Sequence, residues 1–275
     1  MTMKEKLAAY TKQGKALLAV NFYNFETLKG LMLAAKATNS SLILQLSESS
    51  LDYLGIEPAV AMAKAMLKEY DVEGWLHFDH GSSIEIIKQC LNAGFDSVMI
   101  DASEKPFNEN VRITKEAVKI AEAYNANVEA ELGYIAKLNQ SHTFEPTSAD
   151  DSKRFVEATG IDALAIAIGN AHGFYKETPK LRIDRLKEIR AAVDCTLALH
   201  GSSGIPDEQL KEAIHYGISK INLATEIKNI FMKKLQLLLA DTDEIDLRKV
   251  FPKATGEVKD LIIRKLNVVN MVSGE

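Results

Sequence analysis

This sequence of 275 residues is poor in several things, and each shortage narrows what the chain can be. It has only two cysteines, Cys90 and Cys195, far apart and outside any ligand spacing. That rules out a disulfide framework and fits two free thiols in a reducing compartment, read as small core residues. No run of about 18 apolar residues occurs, so no membrane span is expected. The start, Met1-Thr2-Met3-Lys4-Glu5-Lys6, lacks a long apolar segment, so no secretory signal is expected and a cytoplasmic location is. Basic charge is not in excess either. The formal net charge is −5, which gives no reason to expect a nucleic-acid partner, although an acidic protein can carry a locally positive pocket for an anionic small substrate. Low-complexity and linker-like segments are absent.

What is present is ordinary globular composition, 47% hydrophobic and 26% charged, arranged in a regular alternation. A leading helix is expected over residues 4–13. Apolar runs that read as strands then follow at 16–22, 41–47, 75–80, 97–101, 127–133, 163–169, 196–200 and 220–226. Between them lie segments of helical spacing: 26–36, 58–70, 84–93, 110–124, 148–158, 184–193, 206–216 and a last one through Leu239. Pro206 is placed at a first helical position. Residues 245–275 read as a C-terminal helical extension of a chain that is otherwise one barrel domain, 1–275. Eight strand–helix pairs in strict alternation imply parallel strands with helical crossovers, and eight is the number that closes a (β/α)8 TIM barrel. An open doubly wound sheet would carry a glycine-rich phosphate fingerprint after its first strand; Val20-Asn21-Phe22-Tyr23-Asn24 contains no glycine.

In such a barrel the C-terminal strand ends converge on one face, where active sites sit. The sequence places Asn21, Ser47, Asp79, His80, Asp101, Glu131, His172, His200 and Asn222 there. Three of the six histidines thus end strands three, six and seven. A single histidine near a strand end is more often hydrogen-bonded filler. Three at corresponding ends, one beside Asp79, suit a catalytic Zn2+ site with an open fourth position. His77, inside strand three, is expected as a core residue or as support for a ligand. Asp79 is a candidate general acid/base or orienting partner, and Asp101 and Glu131 are candidates for a second cation or for supporting the histidines. Glu129 points the same way as Glu131 along its strand and is assigned a structural polar contact. The loops Gly173-Phe174-Tyr175-Lys176 and Gly201-Ser202-Ser203-Gly204 offer a lysine, backbone N–H groups and hydroxyls in the region where this fold binds phosphate.

With these residues in view, the chain resembles the class II, metal-dependent ketose-bisphosphate aldolases over nearly its whole length. The motifs that carry the resemblance are His77-Phe78-Asp79-His80-Gly81-Ser82-Ser83, Ser97-Val98-Met99-Ile100-Asp101-Ala102-Ser103, Val128-Glu129-Ala130-Glu131-Leu132-Gly133, His172-Gly173-Phe174-Tyr175-Lys176 and Leu199-His200-Gly201-Ser202-Ser203-Gly204. The resemblance implies that His80, His172 and His200 bind Zn2+ and that Asp79 shuttles the C4 hydroxyl proton as the C3–C4 bond of a phosphorylated ketose breaks. It assigns the dihydroxyacetone-phosphate end to Gly173, Lys176, Gly201 and Ser203, with Asn222 and Thr225 nearby, and gives Asn21 and Ser47 a part in shaping the pocket. A monovalent cation, Na+ or K+, is a further candidate at Gly173, and a homodimer or homotetramer is expected.

Two departures from the family pattern bear on the substrate. Residues 134–142 lack the glycine pair and the acidic residue common there; Glu145 and His142 are the nearby replacements, and Lys137 instead offers a positive charge toward an acidic acceptor end. Ala224 stands where some fructose-bisphosphate enzymes have aspartate, which favours tagatose 1,6-bisphosphate or another sugar. The expected reaction is therefore cleavage of a fructose or tagatose 1,6-bisphosphate type of ketose to dihydroxyacetone phosphate and an aldehyde such as glyceraldehyde 3-phosphate. The alternatives are a class II aldolase for a deoxy- or sulfo-ketose phosphate, a zinc hydrolase on the same fold, and a non-catalytic metal-binding barrel.

Overall fold

The computed structural model describes residues 1–133, 146–175 and 177–271. Eight parallel strands close into a barrel in sequence order: β1 Leu17–Asn21, β2 Leu42–Ser47, β3 Gly74–Gly81, β4 Ser97–Ile100, β5 Asn127–Leu132, β6 Ala163–Ile166, β7 Thr196–Leu199 and β8 Ile218–Leu223. Closure leaves no free sheet edge, and helices after each strand cover the outside. The chain is a (β/α)8 TIM barrel with an added C-terminal helix.

Eleven α-helices are described: α1 Met3–Gln13, α2 Phe25–Thr38, α3 Glu48–Leu54, α4 Ile56–Tyr70, α5 Ile84–Ala93, α6 Phe107–Ala121, α7 Ala149–Thr159, α8 Ile183–Ala192, α9 Asp207–His215, α10 Thr225–Ala240 and α11 Leu247–Met271. A 3-10 turn, Glu122–Tyr124, continues α6. Three details differ from the sequence reading. α3 is an extra short helix between β2 and α4, where the sequence reading has one helix over 58–70. Pro206 caps α9 rather than occupying its first turn. The extension is one continuous helix, α11, with Pro252 inside it.

Most strands read as apolar runs because both of their faces are buried, whereas β5 and β8 interleave polar and apolar residues. Residues such as Leu18, Val20, Leu44, Leu76, Val98, Val128, Leu164 and Leu197 face outward into the main core under the helices. The alternate residues fill the barrel interior. At its lower end Leu17, Ala19, Ile43 and Trp75 meet Met3 and Leu7 of α1. That helix is set by a capping box, in which Thr2 Oγ1 accepts from Glu5 N and Thr2 N donates to Glu5 Oε2, and it ends at left-handed Gly14. α1 thereby plugs the barrel floor. Going up the same interior face the side chains become polar: Gln45, His77, Asn127, Glu129, Lys220, then Asn21, Asp79, Glu131, His200 and Asn222, all buried.

Candidate active site

β3 delivers two adjacent functional residues, and strand geometry alone would not allow it. Successive side chains on a strand point to opposite faces, so Asp79 inward should mean His80 outward. The ladder is irregular here. β3 advances from Phe78 to Gly81 while β4 advances only from Val98 to Ile100, so β3 contains a bulge of one extra residue. His80 adopts φ 55°, the left-handed region uncommon for a residue with a Cβ, and its ring joins Asp79 at the barrel mouth. Gly81 permits the bend, since a Cβ there would lie 2.5 Å from Phe78 Cε1 and 2.8 Å from the Met99 carbonyl oxygen.

The histidines converge. The ring of His80 lies 4.9 Å, centroid to centroid, from those of both His172 and His200, and the latter two are 6.0 Å apart. With Glu131 they form a group whose four candidate ligand atoms all lie within 4.8 Å of one another. The sequence reading pairs Glu131 with Asp101; the structure puts Glu131 among the three histidines. Asp101 stands behind His80 instead, with Oδ2 2.8 Å from His80 Nδ1, and its Oδ1 accepts from Ser103 N and Oγ.

Hydrogen bonding fixes which nitrogens face the cluster. A carboxylate only accepts, so His80 donates through Nδ1 to Asp101. His200 donates through Nε2 to Glu129 Oε1 at 2.7 Å. The remaining nitrogens, His80 Nε2 and His200 Nδ1, then face each other at 3.1 Å. Two lone pairs at that distance require a proton or a cation between them. Without a metal the proton supplies it: burial works against a charged His80, but Asp79's charge and the bond to Asp101 outweigh it and lift its pKa to about 9. Burial and the neighbouring charges of His80 and His200 push His172 down to about 3. Three nitrogens and one carboxylate oxygen suit Zn2+ among common divalent ions.

Asp79 lies beside this group, its Oδ1 4.0 Å from His80 Nε2. Burial alone would raise its pKa, but the charges of His80, His200 and Lys220 hold it down, to about 2. Two side-chain amides grip it: Asn21 Nδ2 donates to Oδ2 at 3.3 Å and Asn222 Nδ2 to Oδ1 at 3.2 Å. The Asn21 amide is oriented in turn by Gln45 Nε2, which donates to Asn21 Oδ1 at 3.0 Å. Glu129, fully buried, is more than a structural contact. It bonds His200 and pairs with Lys220 Nζ at 2.9 Å, and Lys220's charge keeps it well below the carboxylate range despite burial. His77 donates or accepts through Nδ1 with Ser97 Oγ at 2.7 Å and holds Nε2 4.0 Å from Glu129.

The loop bearing His172 is pinned by residues that the sequence did not single out. Asn170 Oδ1 accepts from Ile168 N and its Nδ2 donates to the His200 carbonyl. Tyr175 OH accepts from Ala171 N and donates to the Gly201 carbonyl. Gly201, at φ 62°, lies so close to the Ala171 carbonyl that a Cβ there would collide with it. A small cavity of about 40 Å³ is lined by Asp79, the three histidines, Gly173, Gly201, Ser203, Asn222 and Thr225. A wider one of about 600 Å³ adjoins it and is lined by Asn21, Tyr23, Ser47, Asp101, Glu131, Ala224 and Lys228 among others. Ser203 Oγ accepts from Glu226 N in the first turn of α10. Lys176, His142, Glu145 and Lys137 lie outside the described residues.

Comparison with known proteins agrees with this geometry. Over 98% of its length the chain superimposes on the YdjI aldolase from Escherichia coli K12, covering 96% of that chain, with 33% identity and a TM-score of 0.86. A putative fructose-1,6-biphosphate aldolase from Coccidioides immitis gives 27% identity and a TM-score of 0.89, covering 99% of this chain and 97% of that one. The fructose-bisphosphate aldolase of Campylobacter jejuni shares the fold at 20% identity, with coverage of 99% and 95% and a TM-score of 0.83. The sequence also matches the family described as fructose-bisphosphate aldolase class-II over residues 1–273. A barrel whose strand ends gather three histidines, a glutamate and an adjoining aspartate thus belongs to the class II fructose-bisphosphate aldolase family, and the chain is an aldolase of the lyase class.

Proposed function

We propose that the chain cleaves a phosphorylated ketose, of the fructose or tagatose 1,6-bisphosphate type, reversibly to dihydroxyacetone phosphate and an aldehyde such as glyceraldehyde 3-phosphate. The observation that carries this reading is Asp79: an ionised, buried carboxylate held by two amide donors at 3.3 and 3.2 Å beside the histidine cluster. His80, His172 and His200, with Glu131 among them, would hold the divalent metal, Zn2+ by its donor set, and when bound it supplies Lewis-acid polarisation of the ketose carbonyl. Asp79 takes the proton of the C4 hydroxyl as the C3–C4 bond breaks and returns it in the condensation direction. Asn21 and Asn222 keep the carboxylate turned toward the cavity, and they can also donate to substrate hydroxyls as the proton transfers. Asp101 fixes the His80 tautomer, which we favour over a separate cation site.

We assign the phosphate of the dihydroxyacetone end to Gly173, Gly201, Ser203 and Thr225, which line the small cavity. Thr225 opens the 16-residue α10, whose N-terminal dipole end favours an anion. Lys176 belongs to the same proposal, as does a monovalent cation near Gly173. Ser47 lines only the wider cavity and belongs to the aldehyde end. Ala224, which lines both cavities, favours a sugar other than fructose 1,6-bisphosphate, and a deoxy- or sulfo-ketose phosphate is the second reading of that end. Exposed Met232, Leu237, Leu239, Ile245 and Leu247, on and just after α10, support subunit contact in a homodimer or homotetramer.

The test is release of dihydroxyacetone phosphate from fructose 1,6-bisphosphate, tagatose 1,6-bisphosphate and singly phosphorylated ketoses, with and without a chelator. Chelator-sensitive release from one of them is expected. Zinc-loaded protein that releases none from any of the three would sink the proposal.

A further inference from the structure

Lys220 is a charged side chain with no exposed surface, set below the reacting groups on the inner face of β8. Its Nζ donates to Asn222 Oδ1 at 2.7 Å and pairs with Glu129 Oε2 at 2.9 Å. Each contact leads to a different part of the site. Glu129 passes on to His200 Nε2 at 2.7 Å. Asn222 passes on to Asp79 Oδ1 at 3.2 Å. An ammonium has no acceptor, so it can face only the oxygen end of the Asn222 amide. That fixes the amide's orientation and leaves Nδ2 for Asp79. The same Nδ2 lies over the His200 ring, 3.1 and 3.4 Å from its two nitrogens.

We propose that Lys220 is a positioning residue that holds the metal-binding side and the proton-transfer side of the site in one geometry. It acts through Glu129 on the nitrogen that His200 presents to the cluster, and through Asn222 on the carboxylate of Asp79. β5 and β8 are not neighbours in the barrel, so no backbone pairing ties Glu129 to Asn222. The bridge runs through Lys220 Nζ. A buried lysine kept only to neutralise a buried glutamate would not need the amide, and one kept only for the amide would not need the glutamate. The ion pair and the hydrogen bond are made at once.

The inference rests on the aldolase reading above, and its test separates the two. Lys220→Met keeps the length and removes the charge. It is expected to weaken Zn2+ binding by more than about tenfold, as loss of outer support does for metal ligands, and to lower kcat of the zinc-saturated enzyme. The double variant Lys220→Met with Glu129→Gln removes both buried charges and leaves an amide oxygen at position 129 able to accept from His200. Its Zn2+ affinity and the visible spectrum of its Co2+ form are expected to return toward wild type, while kcat stays low. In its crystal structure Asn222 should have turned away from Asp79. Recovery of both affinity and kcat in the double variant would reduce Lys220 to a charge balance and overturn the proposal. So would wild-type affinity and kcat in Lys220→Met with only a lower Tm. If Lys220→Met fails to fold, the neutral double variant still decides. Wild-type protein that cleaves no phosphorylated ketose would defeat the function alone, since the metal-affinity and crystallographic readouts still judge Lys220.

Discussion

The inner face of this barrel has two storeys. Below, Leu17, Ala19, Ile43 and Trp75 close against Met3 and Leu7 of α1. Above, Gln45 and His77 follow two residues after Ile43 and Trp75, and with them stand Asp79, Glu129, Lys220 and Asn222. The lower storey removes apolar surface from water, about 25 cal/mol for each Å² buried. The upper storey buries charges, which is unfavourable unless each is paired, and even paired ions contribute little net stability. The contrast shows a division of labour along one strand: the floor and the helix-covered exterior stabilise the fold, and the upper residues are held in place by it.

Four experiments can break or sharpen that division. The largest effect is expected from Asp79→Ala, which should lower kcat by about 10³-fold or more with zinc content unchanged; lost metal with a retained rate would contradict its role in proton transfer. Next comes the floor. Leu7→Ala removes a fully buried side chain and should reduce unfolding free energy by about 3 kcal/mol in urea titrations while kcat at about 25 °C is preserved. A matching fall in kcat would dissolve the separation between storeys. A smaller change is expected from Asp101→Asn: zinc affinity, followed by competition with a chromophoric chelator, should drop by about 10- to 100-fold, and unchanged affinity would remove Asp101 from the support of His80.

The smallest effect concerns pH and the metal-free protein. His80, raised to about 9, binds its proton more tightly folded than unfolded, where a histidine titrates near about 6.5. Its stabilising contribution is therefore complete below about pH 6.5 and lost as pH rises through about 9. His77 and His172, lowered to about 3, act oppositely: their contribution is present above about pH 6.5 and is lost as pH falls toward about 3. Metal-free protein should thus lose stability on either side of a maximum near about pH 6.5. Zinc-loaded protein should lack the alkaline decline, because metal displaces the His80 proton. An alkaline decline of equal slope in both forms would count against the arrangement.

Much of this was legible in the residues. Eight apolar runs separated by helical spacing pointed to the barrel, and the polar residues closing those runs pointed to Asp79, His80, His172 and His200, because a barrel brings all strand ends to one mouth. Three things were not legible, each for a physical reason. α3 is seven residues long and buries only Ser50 and Leu51, so it leaves no hydrophobic period. The link between Glu129 and Lys220 joins strands that are far apart in sequence and not paired in the sheet, and no local spacing encodes it. Asn170 and Tyr175 act through bonds to backbone, which any polar residue in a loop can make without leaving a pattern. Glu131 was singled out, but its place among the histidines depends on how far β5 reaches into the mouth.

The left-handed His80 has a consequence for anyone who would transplant this chemistry. An Asp-His pair written onto a regular strand of another barrel would show one residue to the cavity and the other to the surrounding helices. The transferable unit is larger: Phe78 through Gly81 together with the two-residue step of β4 that accommodates the extra residue. A design that copies the side chains and regularises the strand would have the right letters with one of its two words facing the wall.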